Sequence, residues 1–161
     1  MKIIFLDIDG VLKTKNGLRR AFKKFKKLVP DILDEFAVKN LNNLIKETNA
    51  GLVMTSTWRY GESIESIHRI LSKQGVEGNV VGMTPELGQF KEQSFSTVTR
   101  GEEIQEWLKR NGEPVDYVIL DDDPNILQQQ TAHFVKCDSE DGFANETRYH
   151  EAVAILQSGL K

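Results

Sequence analysis

Residues 3–6, Ile-Ile-Phe-Leu, run straight into Asp7-Ile8-Asp9-Gly10, and apolar residues resume at Val11 and Leu12. A short β-branched run without polar alternation is the pattern of a strand buried on both faces. Carboxylates are expensive to take out of water unless they are partnered. Two of them, two positions apart where a buried strand ends, constrain the fold strongly. The strand must deliver them to an edge where a counter-charge waits. Gly10 lets the backbone turn sharply there and approach a ligand.

The same pattern recurs along the chain. Strands are expected at 2–6, 52–56, 79–83, 116–120 and 133–137, and helices at 19–29, 35–49, 63–74, 101–110, 124–130 and 145–157. Pro30 is expected to end the helix at 19–29, and Pro124 to open the helix at 124–130. In the first of these, Phe22, Phe25 and Leu28 fall at near-helical spacing and read as a buried stripe; in the second helix, Phe36, Leu41, Leu44 and Ile45 do. Strand alternating with helix predicts a parallel sheet with helices on both faces, a three-layer α/β/α Rossmann-like fold. A length of 161 residues suits one domain over 1–161. In such sheets, sites gather beyond the C-terminal ends of the strands.

Three strong strands end in reactive groups: Asp7-Ile8-Asp9-Gly10, Thr55-Ser56-Thr57 and Asp121-Asp122-Asp123. As parallel neighbours, they would meet at one edge. Crowded carboxylates raise one another's pKa, and a hard divalent cation such as Mg²⁺ relieves that while leaving room for a phosphate. Asp7 is placed as a nucleophile or ligand. The period of two puts Asp9 on the same side, in reach of the proton on an attacking or leaving oxygen. Asp123 reads alternatively as a cap for the helix at Pro124.

The segments FLDIDGVL, LVMTSTWR, RGEEIQEWL and YVILDDD, in that order, resemble motifs I to IV of the haloacid dehalogenase (HAD) superfamily of aspartate-nucleophile phosphohydrolases. STWR, GMTPEL, RGEEIQEWL and DSEDGF resemble more narrowly the small HAD domain of RNA-repair "Swiss Army Knife" proteins. The resemblance implies a Mg²⁺-dependent phosphatase. In it Asp7 is the nucleophile, Asp9 the general acid and base, and Ser56 a hydrogen-bond donor to the phosphoryl group. Arg100 neutralises phosphoryl charge, and Gly10, Thr57 and Arg59 line the substrate site. Asp7, the Asp9 carbonyl, Asp121 and Asp122 hold the metal. Thr55 is the alternative to Ser56, since strand alternation sends the two hydroxyls to opposite faces and only one serves. Lys91 is the alternative to Arg100. Asp9 separates this reading from a dehalogenase, whose halide leaving group needs no acid. A response-regulator receiver carries its phosphorylated Asp on a middle strand instead. Gaps between the motifs leave no room for an added α/β cap, so the site is expected to be capless or minimally capped and open.

Net charge is −3, with mild acidity overall, which excludes a generic polyanion binder. Yet residues 13–27 hold eight Lys or Arg and no acid, leaving 13 basic residues against 24 acidic ones elsewhere. This basic helical insert at about 13–30 follows motif I. It is either a solvated face that attracts phosphorylated substrate or a contact for a nucleic-acid backbone. Trp58 reads as packing, and Arg59 as a phosphate contact or an ion-pair partner. His68, His133 and His150 lack metal-ligand spacing. The single cysteine, Cys137, excludes an internal disulfide, and no apolar run approaches a membrane span; a cytoplasmic protein is expected. Besides a phosphatase of nucleic-acid or nucleotide phosphates, the sequence allows a small-metabolite phosphatase or a non-catalytic phosphate-binding module.

Overall fold

The apolar run at the N-terminus forms the central strand β1 (Lys2–Leu6), flanked by β2 (Gly51–Met54) and β4 (Asp116–Asp121) in the computed structural model, which describes residues 1–90, 98–112 and 116–159. β3 (Val80–Met83) and β5 (Phe134–Lys136) complete a five-stranded, all-parallel sheet of order β3-β2-β1-β4-β5. The α/β architecture is the one the strand–helix alternation predicts.

Among the described residues, four α-helices lie between the strands, α1 (Lys15–Phe25), α2 (Glu35–Thr48), α3 (Ile64–Lys73) and α4 (Arg100–Asn111), and α5 (Glu146–Ser158) follows β5. Alternation along the strands sorts the core into two layers. Ile4, Leu6, Leu52, Met54, Val118 and Leu120 pack against Leu41 and Leu44 of α2, Ile67 and Leu71 of α3, and Ala152 and Leu156 of α5. Ile3, Phe5, Val53 and Ile119 face the other way, onto Ile104, Trp107 and Leu108 of α4. Phe5 meets Trp107 and Tyr117 edge-to-face, with centroids 5.4 and 5.6 Å away, a geometry that adds to simple burial. α4 is locked at its start by a capping box between Thr99 and Glu102.

Two helices differ from the sequence expectation. α1 begins four residues earlier than expected and ends at Lys26, in the left-handed conformation, rather than at Pro30. Its buried residues are Gly17 and Ala21, not the phenylalanines. An added Cβ on Gly17 would lie 2.9 Å from the Asp34 Cβ, so the helix approaches its neighbour on its smallest residues. Phe22 and Phe25 are therefore left outside, 50% and 47% exposed, and Leu28 and Phe36 are exposed as well. Asp34 pins the insert: it accepts from the Thr14 hydroxyl at 2.5 Å and from Arg20 at 2.6 Å while capping α2.

The helix expected at 124–130 is absent. Residues 124–127 carry no regular structure, and a 3₁₀ helix spans Gln128–His133. Asp121 Oδ1 accepts from the Asp123 N–H and Asp123 Oδ1 from the Asn125 N–H. These local bonds compete with helix formation. Buried Gln130 then fixes the segment to α4, donating to the Gly101 carbonyl and accepting from the Leu127 N–H.

Candidate active site

The register decides which side chains meet. Leu6 pairs with Met54 on one side and Leu120 on the other, so Asp7, Thr55 and Asp121 stand in one row beyond it. The ladder extends through that row, with the Asp7 N–H donating to the Leu120 carbonyl and the Thr55 N–H to the Leu6 carbonyl. All three share the parity of Phe5, Val53 and Ile119, the face that α4 covers.

Arg100 is the first residue of α4, and it reaches into this row. Its Nη1 donates to Asp7 Oδ1 at 3.1 Å and to Thr55 Oγ1 at 3.0 Å, and it lies 3.6 Å from Asp121 Oδ2. Thr55 is therefore the hydroxyl in the cluster. Ser56, which the motif resemblance favours, has the opposite parity; its Oγ accepts from the Trp58 N–H and caps the 3₁₀ turn Thr57–Arg59. Lys91 lies outside the described residues.

Asp7, Asp121 and Asp122 each offer one carboxylate oxygen, all within 4.8 Å of one another. Burial raises the Asp7 pKa against the pull of Arg100. Burial, followed by the neighbouring Asp7, pushes Asp121 up to about 7. For Arg100, desolvation works against the charge, but the carboxylates of Asp121 and Asp7 outweigh it and the pKa rises. One guanidinium thus serves two of the three carboxylates, Asp7 and Asp121. Asp121 Oδ2 is buried with no hydrogen-bond partner, an unsatisfied state that costs free energy. Oxygen donors of this number and charge suit a hard divalent cation such as Mg²⁺. Gly10 (φ +81°) is pressed against Asp122: the close approach is to a carboxylate of the cluster.

Asp9 stands apart. The strand ends at Leu6, and residues 8–13 fold into a tight loop in which the Gly10 N–H donates to the Lys13 carbonyl and the Lys13 N–H to the Ile8 carbonyl. The period of two does not carry through that loop. The Asp9 carboxylate is largely exposed; its Oδ2 accepts from the Trp58 indole N–H at 3.0 Å, and its Oδ1 lies 3.4 Å from Lys13 Nζ.

Arg59, expected to contact substrate, lines the cavity beside Arg100 but is bonded throughout to the protein itself. It is 2% exposed, and all five of its N–H donors are occupied. Nε donates to the Thr84 carbonyl, Nη1 to the Thr55 and Ser56 carbonyls, and Nη2 to the Pro85 carbonyl and Glu103 Oε2. It clamps the end of β2 to α4. Thr57 is exposed at the start of the same turn. Trp58 and Lys13 are the site residues that sequence reasoning missed. The signal was a tryptophan two residues beyond the hydroxyl pair, and it points to no particular partner. His133 stacks on Tyr117, His68 and His150 lie on helix surfaces, and Cys137 is buried with its thiol pKa pushed up by desolvation.

Beside Arg100 an open cavity of about 250 Å³ is lined by Tyr60, Glu86, Asp123 and Asn125 among others. No helix of the described residues is long and apolar enough to cross a membrane.

Residues 3–147 match the model of a family described as the HAD domain in Swiss Army Knife RNA repair proteins. The chain belongs to this HAD family. No curated protein and no solved structure matches it.

Proposed function

We propose that this HAD domain is a Mg²⁺-dependent phosphohydrolase acting on phosphomonoesters through an aspartyl-phosphate on Asp7. One observation carries the reading: the buried, unsatisfied Asp121 Oδ2 belongs to a carboxylate grouped with those of Asp7 and Asp122. Asp7, Asp121 and Asp122 would hold the ion, with the Asp9 carbonyl. When bound, Mg²⁺ supplies the positive charge that lets the crowded carboxylates stay ionised and offsets the charge of a phosphoryl group.

The chain's own groups then divide the work. Asp7 Oδ attacks phosphorus as the ester oxygen departs with a proton from the Asp9 carboxyl. Asp9, now ionised, takes a proton from the water that attacks the aspartyl-phosphate, which restores Asp7 and releases phosphate. Arg100 and the Thr55 hydroxyl, already joined to each other and adjacent to Asp7, donate to the phosphoryl oxygens.

The substrate class that fits best is a phosphorylated nucleic-acid end, in line with the RNA-repair setting of the family. Exposed Phe22 and Phe25 beside Lys23 and Lys24 combine aromatic faces for bases with cations for phosphates. Phosphate release is the test, with and without Mg²⁺, for wild type and Asp7→Asn, on 3′- and 5′-phosphorylated oligonucleotides and metabolite phosphates. Metal-dependent turnover lost in Asp7→Asn supports the chemistry. Preference for oligonucleotides that fades with salt and in Phe22→Ser/Phe25→Ser supports the substrate class. Equal turnover of sugar phosphates removes the nucleic-acid part, and no turnover by folded, Mg²⁺-binding protein removes the hydrolase.

A further inference from the structure

Asp9 is the exposed member of the site, and an exposed aspartate ordinarily samples several rotamers. Here both of its carboxylate oxygens are held. Trp58 Nε1–H donates to Oδ2 at 3.0 Å, and Lys13 Nζ sits 3.4 Å from Oδ1. Lys13 is itself placed by a second carboxylate, Asp31, at 3.5 Å.

The two holders differ in how firmly they are built. Lys13 is on the same loop as Asp9, four residues on, and shares a backbone bridge with it. Trp58 comes from a different strand end and is anchored through the turn Thr57–Arg59. Its ring packs against the core cluster, and its backbone N–H donates to Ser56 Oγ. The next residue, Arg59, grips the Thr55 and Ser56 carbonyls and ties the turn to Glu103 on α4, the helix whose first residue is Arg100. The indole N–H is therefore fixed to the same frame as the Asp7–Arg100 pair, and among the described residues it is the Asp9 side chain's bond to that frame.

We propose that Trp58 is the positioning residue that sets the Asp9 carboxyl in register with Asp7, and that Lys13 restrains its other oxygen. This rests on the reading of Asp9 as the group that hands a proton to the leaving oxygen. A proton donor works only from within hydrogen-bond reach of that oxygen, and a rigid hold on its rotamer contributes to the rate by orientation. The held carboxyl matters most where the leaving oxygen is strongly basic. An alkoxide leaving group depends on it, and a nitrophenolate, stable as an anion, does not.

Trp58→Phe keeps an aromatic ring against the core and removes the indole N–H along with part of the ring system. Steady-state kinetics on an alkyl phosphate and on para-nitrophenyl phosphate, with Asp9→Asn alongside, separate the cases. The expected result is a kcat about tenfold lower on the alkyl ester, KM within about twofold, and less than about threefold loss on the aryl ester. Equal loss on both esters, or none on either, overturns the proposal. If Asp9→Asn itself shows no selective loss on the alkyl ester, the proton-donor reading fails. If Asp9→Asn shows it and Trp58→Phe does not, only the positioning role fails. A second measurement does not depend on turnover. The chain has two tryptophans, so two indole N–H signals appear in a ¹H–¹⁵N spectrum, and Trp58→Phe assigns them. Asp9→Ala is expected to move the Trp58 signal and leave that of Trp107 in place; an unmoved Trp58 signal overturns the hydrogen bond on which the proposal stands.

Discussion

Gly10 lies so close to Asp122 that a Cβ on it would sit 2.2 Å from Oδ2, with the backbone at φ +81°. Both space and conformation oppose a side chain there. Gly10→Ala must displace the Asp122 carboxylate or distort the loop that carries Asp9. The expected outcome is a loss of about 1–3 kcal/mol in stability and a Mg²⁺ requirement for turnover raised by about tenfold or more, corresponding to ~1.4 kcal/mol of binding. Chemical denaturation and a Mg²⁺ titration of phosphate release measure the two effects.

The parity of Thr55 with Asp7 separates the two adjacent hydroxyls. Thr55→Val preserves shape and removes the oxygen that receives Arg100 Nη1. It is expected to lower kcat by about a hundredfold to a thousandfold, the scale of losing one donor to the phosphoryl group. Ser56→Ala removes a cap from a three-residue turn and is expected to cost about 1 kcal/mol of stability, with kcat within about threefold. The reverse ranking would return the role to Ser56.

Arg59 illustrates a residue whose type suggests phosphate contact and whose surroundings make it a clamp. Arg59→Met leaves Glu103 buried with its ionic partner gone and several carbonyls unsatisfied, at a cost of about 3–5 kcal/mol. Adding Glu103→Leu is expected to recover part of that loss in thermal or urea unfolding. A phosphate-contact role would instead raise KM while leaving stability unchanged.

Much of the fold was legible because buried parallel strands announce themselves: residues 3–6 and 117–120 are continuous apolar or aromatic runs, and each hands over to carboxylates at the same edge. The ordered motifs carried the family. What stayed hidden depends on contacts between distant segments. Which of Thr55 and Ser56 faces Asp7 follows from the pairing Leu6 with Met54, and strand register is not written in local spacing. The amphipathic pattern of α1 located a helix but put the wrong side inward. Gly17 and Ala21 permit the closer approach, so two phenylalanines stay in solvent. Arg59 draws its partners from residues 55, 56, 84, 85 and 103, a set no window of sequence contains. Pro124 signals a helix start, but the preceding aspartates bond their own backbone and stop it.

The cluster also carries a pH signature in the metal-free protein. Burial and Asp7 raise Asp121 from 3.8 to about 7. Between those values the folded chain holds a proton that the unfolded chain has released, so stability falls as pH rises through that window. The contribution is intact below the unfolded value and lost above the folded one. An asparagine at this position keeps an Oδ1 to accept from the Asp123 N–H and does not titrate. In chelator, Asp121→Asn is therefore expected to melt several degrees above wild type at pH 8 and close to it at pH 4, a difference on the order of a few kcal/mol. Mg²⁺ should shrink the gap at pH 8 by stabilising wild type alone. Thermal unfolding at both pH values, with and without Mg²⁺, decides it. A gap of the same size at pH 4 and pH 8 would mean that Asp121 is ionised throughout and that Arg100 alone suffices to hold it beside Asp7.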